Sequence, residues 1–320
     1  FLQIGQAVHI HAWKKGFSCN IFIAGALISM YSSCGCIRKA EYVFHMIPKR
    51  NTVAWNKMLS AYLERSEGWK TLQLYREMQQ DGVKPDQQTL VTALKACCML
   101  AQVQPVEGKS MKKIVLEIGQ AIHIDAINLK DVFVDAFVGS ALVSMYGNCE
   151  ALREAEATFD RLPERNLVTW NAMICVYLEM NHYDEAIHLY MKMTKDGQVI
   201  NDVTLVCVLQ ASIGIASLEV CHQIHFIIIL SEIDQCPLLL TSLIHAYGNI
   251  AYMTDATAVF EGLFQPDVVA WSSCIAGFGQ EGNFEAGIQF LEKMCIEGIA
   301  ADEVTYCSFL SSCGHTGHVD

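Results

Sequence analysis

Apolar residues along this chain return at helical spacing, in short blocks separated by polar, turn-like segments. In the stretch 52–86, Val53, Trp55, Met58, Leu59 and Tyr62 form one helical stripe, and Leu72, Leu74, Tyr75 and Met78 form a second. The segment from Glu64 to Gly68 between them is polar. Gly82 suits a left-handed cap after the second stripe, and Pro85 prevents its continuation. The pattern predicts two antiparallel helices. The stretch 21–51 follows the same grammar, with Ser33-Cys34-Gly35 between its stripes and Pro48 after the second. A helix pair of this size cannot bury its apolar face alone, so pairs must stack. The expected fold is all-α, an α-α superhelix (solenoid) of helix-turn-helix repeats.

The landmarks recur at two fixed intervals. Trp55, Trp170 and Trp271 lie 115 and 101 residues apart, in "NTVAWNKML", "NLVTWNAMI" and "DVVAWSSCI". Tyr31, Tyr146 and Tyr247 keep the same intervals, as do Phe44, Phe159 and Phe260, then Met78, Met193 and Met294, then Gly82, Gly197 and Gly298. Each large period divides into three units. Short units of 31 residues span 21–51, 136–166 and 237–267, and units of 35 follow at 52–86, 167–201 and 268–302. A third kind, cleanest at 202–236, also has 35 residues. Its counterpart at 87–135 has 49, an excess of 14 near 102–115 that contains Lys109, Lys112 and Lys113. Either Gly108-Lys109 or Gly119-Gln120 can open the second helix there. The stretch 1–20 reads as the end of such a third unit and 303–320 as the beginning of one. Both termini therefore look cut, and the expectation is a longer protein.

The segment "VTWNAMICVYLEMNHYDEAIHLYMKMTKDG" at 168–197 resembles the pentatricopeptide repeat from end to end. "FVGSALVSMYGNCEALREAEATFDRLPERN" at 137–166 and "LQIGQAVHIHA" at 2–12 support the resemblance. The tetratricopeptide alternative requires a Trp-x₂-Leu-Gly-x₂-Tyr pattern that is missing here. The alternation of unit lengths resembles the plant subclass in which short, standard and long repeats take turns. Pro266 departs from the pattern, standing later in its unit than Pro48 and Pro163 do in theirs.

The resemblance implies a superhelix of pentatricopeptide repeats that binds single-stranded organellar RNA, one base per repeat. It implies a mitochondrial or chloroplast protein, a specificity factor for RNA processing such as C-to-U editing, with editing or processing proteins as further partners. RNA stability, splicing or translation, and a helical scaffold for protein partners, are the alternative roles. In the resembling family the fifth and last residues of a repeat discriminate the base. Asn56 with Asp86 is associated with uracil, Ser140 with Asn166 with adenine, and Asn171 with Asn201 with cytosine or uracil. Thr241 with Asp267 and Ser272 with Asp302 point to guanine, while Gly25 with Asn51 matches no reliable pair. Side chains of these types offer donors and acceptors to a base edge. The long repeats carry Val91, Val206 and Cys307 at the fifth position and read as spacers. Val53, Phe137, Val168, Leu238 and Val269 are placed to pack on base faces. Asn and Asp at repeat ends are equally suited to capping helices. Taken jointly, though, polar fifth residues in the short and standard repeats contrast with apolar ones in the long repeats.

Composition alters this picture in one respect. Hydrophobic residues make up 52% and charged residues 18%, which excludes a disordered chain, while the net charge of −12 argues against a general polyanion binder. No apolar run approaches membrane-spanning length; the densest, Phe226–Leu230, stops at Ser231. Fourteen cysteines are scattered among apolar neighbours without any Cys-x-x-Cys, as expected of small buried hydrophobes in a reducing compartment. The zinc deaminase signature, His-x-Glu followed by Pro-Cys-x-x-Cys, is missing in both halves. Cys221, His222 and His225, or His315 and His318, can be imagined as metal ligands. The first group occupies a slot held by Gly5 to His9 and Gly119 to His123 in sister repeats, so it reads as a repeat position. No cofactor and no catalysis are expected.

Overall fold

The computed structural model describes residues 2–17, 20–103, 111–129, 135–230 and 236–315. Among these every regular element is a helix: α1 (Leu2–Lys14), α2 (Ile21–Ser33), α3 (Ile37–His45), α4 (Thr52–Glu64), α5 (Gly68–Gln80), α6 (Gln87–Ala101), α7 (Met111–Asn128), α8 (Ala136–Asn148), α9 (Leu152–Arg161), α10 (Leu167–Glu179), α11 (Tyr183–Lys195), α12 (Asp202–Gly214), α13 (Leu218–Leu230), α14 (Pro237–Asn249), α15 (Met253–Glu261), α16 (Val268–Glu281), α17 (Phe284–Ile296) and α18 (Glu303–His315). The chain forms two compact units, 1–176 and 177–320, with the boundary inside α10. In the first unit α2, α4, α6 and α8 pack side by side, and α3, α5, α7 and α9 each return against the preceding member of that row. In the second, α12, α14, α16 and α18 form the row, with α15 and α17 returning on α14 and α16.

Both kinds of turn close by the same device. Gly82, Gly197 and Gly298 adopt φ of 72°, 69° and 79°. The next residue then donates its N–H to a carbonyl five residues back, Val83 to Met78 at 3.1 Å, Gln198 to Met193 at 3.2 Å and Ile299 to Met294 at 3.1 Å. This satisfies the open helix end. The turn inside each pair repeats the geometry with fewer glycines. Beside Gly35 and Gly282, the left-handed position is held by Ser66, Glu150, Asn181, Ala216 and Ala251.

The core is built on aromatic pairs between successive repeats. Trp55, Trp170 and Trp271 are at most 1% exposed. Each meets a phenylalanine of the preceding second helix edge-on, with Phe44, Phe159 and Phe260 at ring distances of 4.9, 5.1 and 4.6 Å. Arg50 and Arg165 lie over Phe44 and Phe159 at 4.8 Å, each also donating to the carbonyl of that phenylalanine. Pro266 stands where the third arginine belongs. In that repeat Phe290, where sister repeats have Leu74 and Leu189, lies 5.5 Å from Phe260 and 5.8 Å from Trp271. The third repeat thus has a cluster of three rings where the others have an arginine-covered pair.

A histidine ties the second helix of each long repeat to the following short repeat. The Nδ1 atoms of His9, His123 and His225 lie 2.8, 2.8 and 3.0 Å from the hydroxyls of Tyr31, Tyr146 and Tyr247. Burial lowers the pKa of all three histidines. Around the inserted residues, α7 runs 18 residues where α1 and α13 each have 13. Gly119 does not open this helix, as one register had it; it sits in mid-helix against Met145, as Gly5 sits against Met30. Gly108-Lys109, the other opening, lies outside the described residues. No described helix is long and apolar enough to cross a membrane.

Candidate nucleic-acid interface

In α4, α6, α8, α10, α12 and α16 the third and fourth residues enter the core and the second stays outside. Thus Ala54 and Trp55, or Ala270 and Trp271, are buried, whereas Val53 and Val269 are exposed. All five apolar residues expected to face bases, Val53, Phe137, Val168, Leu238 and Val269, are exposed in this way. Phe22, Val203 and Val304 hold the same position, and the eight range from 49% to 87% exposed. These three are additions to the sequence reading. The signal for them was the repeat position itself, apolar also in units set aside as spacers or unreadable.

The last residue of a repeat is the N-cap of the next first helix. Asn51 accepts from the N–H of Ala54 at 3.0 Å, Asn166 from Thr169 at 3.0 Å, Asn201 from Thr204 at 3.0 Å, Asp267 from Ala270 at 2.8 Å and Asp302 from Thr305 at 2.8 Å. Asp86 forms a full capping box with Thr89. Capping and recognition are therefore not exclusive. The cap engages Oδ1, fixing the side-chain rotamer, and leaves the other polar atom, Nδ2 or Oδ2, outside the cap. The Asp302 carboxyl is held below the usual carboxylate range by the hydroxyl and N–H of Thr305, so it stays an acceptor at neutral pH.

The fifth residues lie on the same helices, one turn further in. Asn56 and Ser272 are half-buried, while Gly25, Ser140, Asn171 and Thr241 are buried. In the first unit Asn56 donates through Nδ2 to both carboxylate oxygens of Asp86, at 2.9 and 3.0 Å. Ser140 instead donates to the carbonyl of Phe137 within its own helix at 2.9 Å. Gly25 has open space at its Cβ, the nearest heavy atom being Lys57 Cγ at 4.0 Å, so nothing there reaches toward Asn51. In the second unit Ser272 and Asp302 share Thr305: its hydroxyl is 2.7 Å from Ser272 Oγ and 2.7 Å from Asp302 Oδ1. Thr241 and Asp267 flank the preceding repeat of that unit, with Asp267 engaged as the cap of α16.

A cleft of about 760 Å³ in the second unit gathers Val269, Ser272 and Asp302 in one wall with Val304 and Cys307 of the next repeat. His245, Asn249 and Gln280 complete its lining and were not singled out from the sequence. Burial lowers the pKa of His245, so at neutral pH it offers a neutral imidazole beside Asn249. The cleft thus combines the apolar side chains of Val269 and Val304 with the donors and acceptors of Ser272, Asp302, His245 and Asn249.

The imagined metal ligands have other partners. His222 Nε2 lies 2.8 Å from Asp255, and His225 bonds Tyr247. His318 lies outside the described residues. Among the described residues no group of His, Cys, Asp and Glu has the arrangement of a metal site, and none of the twelve described cysteines forms a disulfide.

The PPR repeat family model matches residues 50–99, 165–212 and 266–315, and a PPR repeat model matches 22–52, together more than half of the chain. The chloroplastic pentatricopeptide repeat-containing protein At1g11290 of Arabidopsis thaliana is 28% identical over all of this chain and 38% of its own length. The mitochondrial protein At3g09040 of the same plant is 30% identical over 98% of this chain and 29% of its own. The chain thus spans less than half the length of these relatives. Among solved structures, the crystal structure of the pentatricopeptide repeat protein PPR10 with an 18-nt psaJ RNA element superposes with a TM-score of 0.74, at 16% identity, over 98% of this chain and 45% of that one.

Proposed function

We propose, from the premise that this chain belongs to the pentatricopeptide repeat family, that it binds single-stranded RNA and selects bases along its first helices. The observation that carries this reading is the cleft where an exposed apolar second residue, a polar fifth residue and a capping last residue meet, Val269, Ser272 and Asp302. The PPR10 complex supports RNA as the ligand, since that relative of the same fold was crystallised on RNA. Repeats bounded at 52–86, 136–166, 237–267 and 268–302 then read U at Asn56/Asp86, A at Ser140/Asn166 and G at both Thr241/Asp267 and Ser272/Asp302. Binding is the task, and no step of catalysis is assigned to these residues. The chloroplastic and mitochondrial relatives support an organellar setting. The alternating repeat lengths favour the plant subclass that guides C-to-U editing, within a longer protein and with processing proteins as partners.

A single exchange, Asn166→Asp, tests the reading. Asparagine and aspartate cap helices about equally, so stability is expected to change by only a few tenths of a kcal/mol. The atom outside the cap changes from an amide donor to a carboxylate acceptor. Adenine carries an acceptor at N1 where guanine carries an N–H donor, so preference at that nucleotide should move from adenine to guanine. The shift should be on the order of 1 kcal/mol, one hydrogen bond exchanged. Binding is measured on four RNAs differing only at that base. Four unchanged affinities would leave Asn166 a cap alone and overturn the reading.

A further inference from the structure

Buried threonines lie behind four of the candidate recognition pairs, Thr89, Thr169, Thr204 and Thr305, and none is a fifth or a last residue. Thr89 and Thr305 are 0% and 1% exposed, each the third residue of the first helix that follows a standard repeat. The corresponding position of the remaining standard-to-long junction is Thr204. At the short-to-standard junctions it is Ala54, Thr169 and Ala270. The threonine hydroxyl reaches across the repeat boundary to the fifth residue: Thr89 Oγ1 is 2.6 Å from Asn56 Oδ1, and Thr305 Oγ1 is 2.7 Å from Ser272 Oγ. The same hydroxyls are 2.8 and 2.7 Å from the capping oxygens of Asp86 and Asp302. One buried hydroxyl therefore touches both members of the pair.

We infer that Thr89 and Thr305 are positioning residues that set which hydrogen-bonding groups the pair shows to the base, an inference that rests on the RNA-binding reading. At Asn56 the amide oxygen has no proton of its own, so the 2.6 Å contact takes the threonine proton, unlike at Ser272, and one amide N–H is shared between the two oxygens of Asp86. What remains at the edge is the second amide N–H, a donor, beside Asp86 Oδ2, an acceptor. Uracil shows the complement, a carbonyl oxygen beside N3–H. At Ser272 the hydroxyl has Val268 O as acceptor at 2.7 Å, and the Thr305 proton goes to the ionised Asp302, the stronger acceptor. The serine proton is thus spent internally, on Val268 O or on Thr305 Oγ1, and only a lone pair faces out. Two acceptors, Ser272 Oγ and Asp302 Oδ2, complement the N2–H and N1–H donors of guanine. The same threonine holds an amide in one pair and a hydroxyl in the other, and the base follows from which it holds. In the first unit Ser140 lacks such a clamp, its hydroxyl bonding Phe137 of its own helix.

The test uses the 320-residue chain, Thr305→Val and Thr305→Ser, with RNAs carrying each of the four bases opposite the repeat 268–302. Thr305→Val should reduce the guanine-over-adenine ratio roughly fivefold, the scale of one hydrogen bond, because Ser272 can then turn its proton outward. Thr305→Ser, which keeps the hydroxyl, should retain the ratio. A threonine that merely supported the helix would, when replaced, weaken binding to all four RNAs equally and lower the melting temperature, leaving the ratio intact; that result overturns the inference. Should Thr305→Val fail to fold, Thr89→Val, read as uracil over cytosine, decides in the other unit. A parent chain without guanine preference would refute the RNA reading itself. A parent with it, matched by an unchanged valine variant, refutes the positioning role alone.

Discussion

Ala216 and Ala251 hold backbone conformations with φ of 49° and 56°, as Ser66, Glu150 and Asn181 do at sister turns. A Cβ crowds the carbonyl there, at about 1–2 kcal/mol per residue. Gly282 meets the same geometry without that penalty. Ala251→Gly should therefore raise stability, by about 1 kcal/mol after the extra entropy of a glycine in the unfolded chain is subtracted. Urea denaturation is the measurement, and a destabilised variant would contradict it. This also marks a limit of reading single residues. Gly82 announces its cap, whereas nothing about an alanine or a glutamate calls for a left-handed turn. Only alignment with Gly35 and Gly282 across repeats shows that the position demands one. The residues proposed for recognition divide in the same way. Asn56 and Asp86 stand out by type and repeat position, but Thr89 looks like any residue of a helix until its contact across the repeat boundary is seen.

Between elements, the histidine–tyrosine ties join each long repeat to the short repeat that follows. Burial depresses the pKa of His9, His123, His225 and, in the cleft, His245, below the usual 6.5. The unfolded chain thus takes up protons at a higher pH than the folded one, and stability rises with pH across that window. It should be fully present above about pH 7 and fall as pH drops through the unfolded value of about 6.5 toward the depressed folded values. The denaturation midpoint measured between pH 7.5 and pH 5.5 should decline. A variant with His9, His123 and His225 all replaced by Gln should decline less steeply; equal slopes would remove these histidines from the account. Helix order and pairing were legible because stripes, turns and caps agree at each repeat. The extension of α7 was not, since Met111 to Val115 carry the same helical pattern as the residues that follow them.

At the scale of the whole molecule, repetition is what made the fold readable. A single pair of stripes fits many helical folds, while three tryptophans at matching positions fit a stack in which each pair needs its neighbours. The same repetition lays an exposed apolar side chain on the first helix of repeat after repeat, from Phe22 to Val304, where a globular fold would bury it. Without a nucleic acid to cover them, these side chains offer adhesive spots to any other copy of the chain. The net charge of −12 is what holds copies apart, and it vanishes near an isoelectric point of 5.3. Under the proposed RNA-binding reading, the acidity that argues against indiscriminate polyanion binding thus also serves as colloidal protection for the chain while its first helices stand uncovered.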